Sequence, residues 1–275
     1  MKTTAIRVII TVLVISGIMV QFSCKRSGET RKDASFTEPE VKEAVETRVR
    51  EFVYPLPTSY EAIQMLNDLG AAYIIGLSNS YKNVDKYFTE NSKALNLGVY
   101  GADLSYASTY QMKQETMYFL EASKKLTDDL GISGIINEQL LNDVESNIDD
   151  REKLIEIITN TFFDTYDFLN RNGRGNLALL ILAGTWTEAL YISTHISANV
   201  YNNYKIVKII HQQKASIDKL YEMLELSKED AYIKEVMQDL LPLKTIYDAL
   251  DGTFTEAQVI AISAEVEKVR TKFVS

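Results

Sequence analysis

The feature that most constrains the fold of this chain is an apolar spacing of three and four residues that recurs along nearly its whole length. Near the C-terminus, Val259, Ile262, Val266, Val269 and Phe273 follow this spacing, which places them on one face of an α-helix. Only 4 prolines and 12 glycines occur in 275 residues, and no convincing alternation of period two is present. The pattern therefore predicts an all-α protein.

Capping residues indicate where two of these helices begin. Thr255 with Gln258 forms a capping-box pattern, in which each side chain accepts a hydrogen bond from a backbone N–H group at the helix start. This pattern predicts a C-terminal helix over about 255–273. The same pattern at Thr58 predicts a helix that begins near Ser59.

Glycine and proline indicate two breaks. The quartet Asn172-Gly173-Arg174-Gly175 contains two glycines among polar residues, and such a segment readily ends a helix. Pro242 lacks a backbone N–H group, so we expect it to kink or interrupt a helix around residues 237–250.

Two segments are similar enough to suggest an internal repeat. Residues 94–110 align without gaps on residues 179–195, and both contain Tyr-x-Ser-Thr preceded by an acidic residue. This match predicts tandem pseudo-repeats over about 55–149 and 150–250, with about four helices in each. With the C-terminal helix, they would form a bundle of about 8–9 helices in a single domain, residues 39–275. The alternative is chance similarity between two apolar helices.

Small residues predict that the two aligned helices lie close together. Gly98, Gly101 and Ala102 occur in the first helix, and Ala183 and Gly184 occur in the second. A glycine in mid-helix costs about 1 kcal/mol relative to alanine, so its presence suggests close approach to a neighbouring backbone. We expect the two helices to pack at the centre of the domain around a pseudo-twofold axis.

The same two helices carry the candidate ligand-binding residues. Asp103 aligns with Glu188 in otherwise apolar sequence, and each is followed one turn later by a tyrosine, Tyr106 and Tyr191. Residues at this spacing share a helix face. One interpretation is a polar pocket between the repeats that binds a small ligand or a cation. The other is a pair of buried carboxylates satisfied for structural reasons, as buried polar groups usually are.

Other chemistry is scarce in the sequence. His195 and His211 are the two histidines and Cys24 is the one cysteine, so a zinc site lacks its usual ligand set. Neither a Gly-x-Ser-x-Gly turn nor a phosphate-binding loop occurs. We therefore expect no catalytic residues, no metal, no cofactor and no enzymatic activity. The net charge of −9, without a basic stripe, argues against nucleic acid as a partner.

The N-terminus has the organisation of a secretory signal. Lys2 and Arg7 precede an uncharged run from Val8 to Val20, and a basic start followed by a short apolar stretch is typical of such signals. The apolar run is shorter than the roughly 20 residues that span a bilayer. A transmembrane anchor is therefore the weaker interpretation.

Residues 21–24, Gln-Phe-Ser-Cys, resemble the processing site of bacterial lipoproteins, whose signal peptidase cuts before a cysteine that becomes lipidated. The resemblance implies a signal peptide over residues 1–23 and lipid attachment, including palmitate, at Cys24. The polar residues 24–38 then form a flexible tether. The residues two and three positions before Cys24 depart from the usual small residue and leucine, and the alternative is an ordinary signal with a stray thiol.

The segments LGVYGADLSYAS and LAGTWTEALYIST, together with the leader, resemble helical lipoproteins of Bacteroidota. This resemblance implies a cell-envelope location and brings no activity with it. We expect a non-enzymatic protein-interaction or structural module, anchored to the membrane through Cys24, with an envelope protein as its partner. The outer membrane facing the periplasm is favoured, because the tether begins with Lys25 and Arg26 and not with an acidic cluster. The alternative function is a small-molecule or lipid binding protein that uses a polar cleft between the two repeats.

Overall fold

Nine α-helices make up most of the chain that the computed structural model describes, which is residues 59–275 without 198, 199 and 253. The helices are α1 (Ser59–Asp68), α2 (Glu90–Thr109), α3 (Lys113–Asp129), α4 (Glu138–Ser146), α5 (Arg151–Arg171), α6 (Gly175–His195), α7 (Tyr204–Glu225), α8 (Ala231–Asp248) and α9 (Glu256–Val274). Two 3₁₀ helices, Tyr81–Lys86 and Val200–Asn202, lie in connections. No strand occurs in this part of the chain, so the predicted all-α class is confirmed. The predicted signal peptide, Cys24 and the tether lie outside the described residues.

Local capping chemistry sets the helix ends as the sequence predicts. At the start of α9, Thr255 Oγ1 accepts a hydrogen bond from the Gln258 backbone N–H, and Gln258 Oε1 accepts one from the Thr255 N–H. The described part of α1 begins at Ser59, and the predicted cap residue Thr58 lies outside the described residues. Between α5 and α6 the chain turns at Gly173, whose φ of +72° lies in the left-handed region that glycine adopts without strain.

The helices α2 and α6 form the centre of the domain. Of their residues, 15 of 20 in α2 and 17 of 21 in α6 are buried, so neither helix has a broad solvent-facing side. The helices α1 and α5 each pack against both of them, α3 packs against α2, and α7 and α9 pack against α6. In the described part of the chain α6 alone is long and apolar enough to cross a membrane, and 94% of its apolar window is buried inside the domain, which is typical of a core helix.

The helix order divides at the predicted repeat boundary. The first half contributes α1 to α4 and the second contributes α5 to α8, with α9 following as an addition. The matching helices differ in length, since α1 has 10 residues and α5 has 21, while α4 has 9 and α8 has 18. This order alone does not show a duplication, and the tandem repeat stays a prediction.

Of the kink or interruption predicted at Pro242, the interruption is wrong, because α8 continues through the proline from Ala231 to Asp248. The kink stays a prediction. Buried side chains lie on both sides of the proline, among them Leu240, Leu243 and Tyr247. Their packing against α7 and α9 holds the helix together across the missing N–H group. Pro242 itself is exposed.

Candidate functional site

The candidate site depends on an unusually close crossing of α2 and α6. A Cβ atom on Gly98 would lie 2.0 Å from the carbonyl oxygen of Ile181, and one on Gly184 would lie 2.0 Å from that of Leu95. Thr185 Oγ1 also donates a hydrogen bond of 3.1 Å to the Gly98 carbonyl oxygen. The two backbones are therefore in direct contact, and the predicted packing of these helices at the centre is confirmed.

The contacts at the crossing are reciprocal, with Gly98 against Ile181 and Gly184 against Leu95. A local two-fold exchange therefore relates Gly98 to Gly184. The sequence alignment pairs Gly98 with Ala183 instead, one residue earlier. One residue turns an α-helix by about 100°, so the alignment is not the register in which the helices pack.

The change of register separates the environments of the two candidate carboxyl groups. The offset of 86 residues between Gly98 and Gly184 can be applied along both helices. Asp103 on α2 then corresponds to Ala189 on α6, and Glu188 on α6 corresponds to Ala102 on α2. Asp103 and Glu188 are therefore not symmetry mates in the packing, although the sequence aligns them. Each has its own set of contacts.

Glu188 is fully buried and pairs with an arginine from the last helix. Arg270 Nε lies 2.7 Å from Glu188 Oε2, and Arg270 Nη2 lies 2.9 Å from Glu188 Oε1, which is the two-pronged geometry of strong arginine–carboxylate pairs. Arg270 Nη2 also donates to the Leu77 carbonyl oxygen at 3.2 Å. Burial lowers the pKa of Arg270, but Glu188 raises it to well above its ordinary value, so Arg270 stays charged.

Asp103 is also fully buried, but its two oxygens differ. The Asn79 backbone N–H donates to Oδ2 at 3.1 Å, whereas Oδ1 has no hydrogen-bond partner. Burial raises the pKa of Asp103 well above its ordinary value; the nearby Glu188 raises it further, and Arg270 only partly opposes them. The interior therefore favours the neutral form of Asp103.

Tyr191 joins this cluster through its ring. The Arg270 guanidinium lies 4.1 Å from the ring centroid, which is cation–π geometry. On α6 the same ring stacks with His195 at a centroid distance of 4.1 Å. His195 Nε2 in turn lies 3.4 Å from Ser263 Oγ on α9. The end of α6 is thus fastened to α9 by stacked side chains and a hydrogen bond.

Tyr106 has a different partner from the one that its spacing suggests. Its hydroxyl accepts a hydrogen bond of 2.8 Å from the Ile74 backbone N–H, and its ring stacks on Tyr73 at 4.5 Å. Burial raises the pKa of Tyr106 to about 12. Tyr106 therefore holds the connecting segment, residues 69–80, against α2.

The structure brings three of the four predicted residues together, with Asp103, Glu188 and Tyr191 arranged around Arg270. Arg270 was not predicted from the sequence. It follows Val269 and lies one turn after Val266, at the margin of the apolar stripe of α9. Buried carboxylates need a compensating cation. A search for basic residues at the edge of an apolar helix face could therefore have identified Arg270 from the sequence.

The cluster is a closed set of contacts that ties four elements together. Asp103 belongs to α2, Glu188 and Tyr191 to α6 and Arg270 to α9, and the first and last of these also bind the backbone of segment 69–80. The Arg270 side chain is 13% exposed and the two carboxyl groups are not exposed. The arrangement is suited to holding these elements in place.

Two surface grooves lie away from the cluster. The larger, about 610 Å³, lies between α4 and α5 and includes Asp143, Asp164 and Asp167. The other, about 530 Å³, includes Gln64 and residues 149–152. Among the described residues, no group of three or more His, Cys, Asp or Glu side chains is arranged to hold a metal ion.

Comparison with known proteins adds no relative. No family model, no curated protein and no solved structure matches this chain.

Proposed function

We propose that this protein is a lipid-anchored lipoprotein of the cell envelope, whose helical domain acts as a non-enzymatic protein-interaction or structural module. The anchor is proposed at Cys24, on the outer membrane and facing the periplasm. The proposed partner is another envelope protein. The anchor and the domain have separate lines of support.

The anchor is supported by the order of features in the leader. Lys2 and Arg7, the uncharged run of residues 8–20 and then Cys24 follow the order of a lipoprotein signal. Stable membrane attachment through covalent lipid takes a second signal besides a single acyl chain, such as another chain or a basic patch. The tether, residues 24–38, would reach roughly 20 Å as a random coil. The domain would then work close to the membrane surface.

The non-enzymatic role is supported by one observation, the complete burial of Asp103 and Glu188. A general acid or base must come within hydrogen-bonding reach of its substrate, and these carboxyl groups are enclosed by the domain. Glu188 already has both oxygens on Arg270. These contacts hold α2, α6 and α9 together inside the domain, which suits a rigid module that presents its surface to a partner.

Metabolic labelling with palmitate tests the anchor in cells that express the full chain. We expect label on the wild type and on Ser27→Ala, which changes the tether and keeps Cys24. We expect no label on Cys24→Ser, together with its loss from the membrane fraction. Label that persists in Cys24→Ser, or a wild type without label, would contradict the proposal.

Crosslinking in intact cells tests the partner. We expect a specific envelope protein to be recovered with the wild type, and to be depleted when Cys24→Ser releases the domain from the membrane at equal expression. The absence of any protein enriched over the Cys24→Ser control would count against an interaction module.

The second candidate is a small-molecule or lipid binding protein. One observation favours it, since Tyr191 and Arg270 remain partly exposed at the edge of the cluster. Native mass spectrometry of the detergent-extracted protein should then show a bound mass that Tyr191→Leu loses. A wild type without any bound mass would remove this candidate.

A further inference from the structure

Among the described residues, two buried carboxyl groups share one cation, Arg270. Asp103 and Glu188 are both completely buried, and Arg270 is the positively charged group that acts on Asp103. If both carboxyl groups were ionised, the cluster would carry a net negative charge out of contact with water. An uncompensated buried charge is strongly unfavourable.

Among the described residues, no other ionised group is found to act on Asp103. The titratable groups that interact electrostatically with Asp103 are Glu188 and Tyr191 on α6, Arg270 on α9, Tyr100 and Tyr106 on α2, Tyr73 in segment 69–80, and Tyr87 just before α2. The pKa of each of these tyrosines is raised, chiefly by burial, so the tyrosines are uncharged at neutral pH. Within the part of the chain that the structure describes, Arg270 is therefore the one cation that acts on the two acids.

The hydrogen bonds of the cluster leave one carboxyl oxygen, Oδ1 of Asp103, without a donor. Arg270 directs Nε and Nη2 to Glu188, and the Asn79 N–H is used by Asp103 Oδ2. Asp103 Oδ1 is left without a partner. Glu188 and Ser78 both lie close to Asp103, where Glu188 raises its pKa and Ser78 lowers it.

We propose that Asp103 and Glu188 form a buried proton-binding site, in which Asp103 carries a proton in the native protein and donates it in a hydrogen bond to Glu188. One proton then removes the excess negative charge. It also converts the unpartnered oxygen of Asp103 into a hydrogen-bond donor. Two acids that share one proton at close range behave in this way in other buried carboxyl pairs.

The contacts decide which acid holds the proton. Both oxygens of Glu188 already accept hydrogen bonds from Arg270. Asp103 accepts one backbone hydrogen bond and has a free oxygen. The packing of α2 and α6 also makes the surroundings of the two acids unequal, because the local two-fold exchange at Gly98 and Gly184 does not relate Asp103 to Glu188. The proton therefore belongs on Asp103.

The site makes a signed prediction for stability against pH. The pKa of Asp103 is raised in the folded protein above the value near 4 of an unfolded aspartate. Its contribution to stability is therefore complete below about pH 4 and is lost as pH rises towards the folded pKa. Within that window the folding constant falls about tenfold per pH unit, since the folded state binds one more proton than the unfolded state.

Denaturant unfolding of the wild type and Asp103→Asn at a series of pH values tests this prediction. Asparagine resembles the protonated acid in shape and has no proton to lose. We expect the folding constant of Asp103→Asn to rise relative to the wild type by about tenfold per pH unit within the window. The exposed-site control Asp251→Asn should follow the wild type, and Ser78→Ala should keep the same slope. Parallel curves for the wild type and Asp103→Asn would overturn the proposal.

Infrared spectroscopy of the native protein tests the proton directly and does not depend on the folding of a variant. We expect the carbonyl stretch of a protonated carboxylic acid at pH 7 in the wild type and in Asp251→Asn. Asp103→Asn should lack it. A wild-type spectrum at pH 7 without this band would show that both carboxyl groups are ionised and would end the proposal.

Discussion

Single residues in the centre of this domain explain how charge can be placed in an apolar interior. Glu188 lies in the most apolar helix of the described chain and has no exposed surface. Arg270 reaches it from α9 with two hydrogen bonds, and the ring of Tyr191 covers the guanidinium. The pair is bound to its surroundings on several sides, and the loss of Glu188 breaks both of its hydrogen bonds to Arg270 and leaves the charge of Arg270 facing Asp103.

Glu188→Gln should therefore destabilise the domain by about 3–5 kcal/mol, the range for breaking a buried ion pair from one side. Urea unfolding at neutral pH measures the loss. The exposed substitution Glu145→Gln serves as the matched control and should change the free energy of unfolding by less than about 0.5 kcal/mol. The double variant Glu188→Leu with Arg270→Met should recover part of the loss, because it removes both charges. A loss in Glu188→Gln no larger than in the control would contradict the account of the pair.

At this scale the sequence predicted the acids and not their partner. Asp103 and Glu188 stand out because charged residues are rare in apolar helices. Arg270 lies far away in the chain, and its role depends on how α9 packs on α6, which periodicity does not specify. The aligned tyrosines were predicted to be equivalent, yet Tyr106 holds segment 69–80 and Tyr191 covers Arg270. A one-residue difference in packing register separates their roles.

Among the helices, the crossing of α2 and α6 depends on two glycines. Each lies where a side chain would collide with the carbonyl oxygen of the opposite helix. Backbone atoms cannot move aside as the end of a flexible side chain can. The helices must therefore separate if either glycine gains a Cβ atom.

Gly98→Ala and Gly184→Ala should each destabilise the domain by about 1–3 kcal/mol, as overpacking of a core does. Gly101→Ala is the matched control on the same helix, since its Cβ atom would meet the Phe162 ring at 3.9 Å, an ordinary contact. The control should gain about 0.5–1 kcal/mol from the higher helix propensity of alanine. Thermal unfolding of the three variants decides the matter, and equal effects at all three positions would contradict the crossing geometry.

Pro242 gives a second prediction for the helices. It lies inside α8 with its side chain exposed, and a proline there removes one helical hydrogen bond. Pro242→Ala should restore that bond and stabilise the domain by up to about 3 kcal/mol. A rise in the urea midpoint would show this. A destabilised Pro242→Ala variant would mean that α8 depends on the proline.

The sequence predicts helix ends where the interactions that set them are between residues close together in the chain. The cap at Thr255 and the turn at Gly173 depend on neighbouring residues, so local patterns predict them. The continuation of α8 through Pro242 depends on burial against α7 and α9, which lies beyond a local window. The order of helices agrees with two halves of four, while the unequal lengths of α1 and α5 lie outside what the aligned segments predicted.

For the whole molecule, we propose a membrane anchor joined to a helical domain that buries two of its carboxyl groups, Asp103 and Glu188. The chain is acidic, with a net charge of −9, and loses two basic residues, Lys2 and Arg7, if the leader is removed. An acidic domain is repelled by anionic lipid surfaces. We therefore expect the lipid at Cys24, and not the surface of the domain, to provide the attachment to the membrane.

Mass spectrometry of the N-terminal peptide, taken from protein extracted from membranes, tests directly whether lipid at Cys24 anchors the protein. The account predicts that the mature chain begins at Cys24 and that this residue carries covalently attached lipid. The Cys24→Ser variant should yield no lipidated peptide. A membrane-extracted chain that begins at Met1, or one with a free thiol at Cys24, would contradict the account.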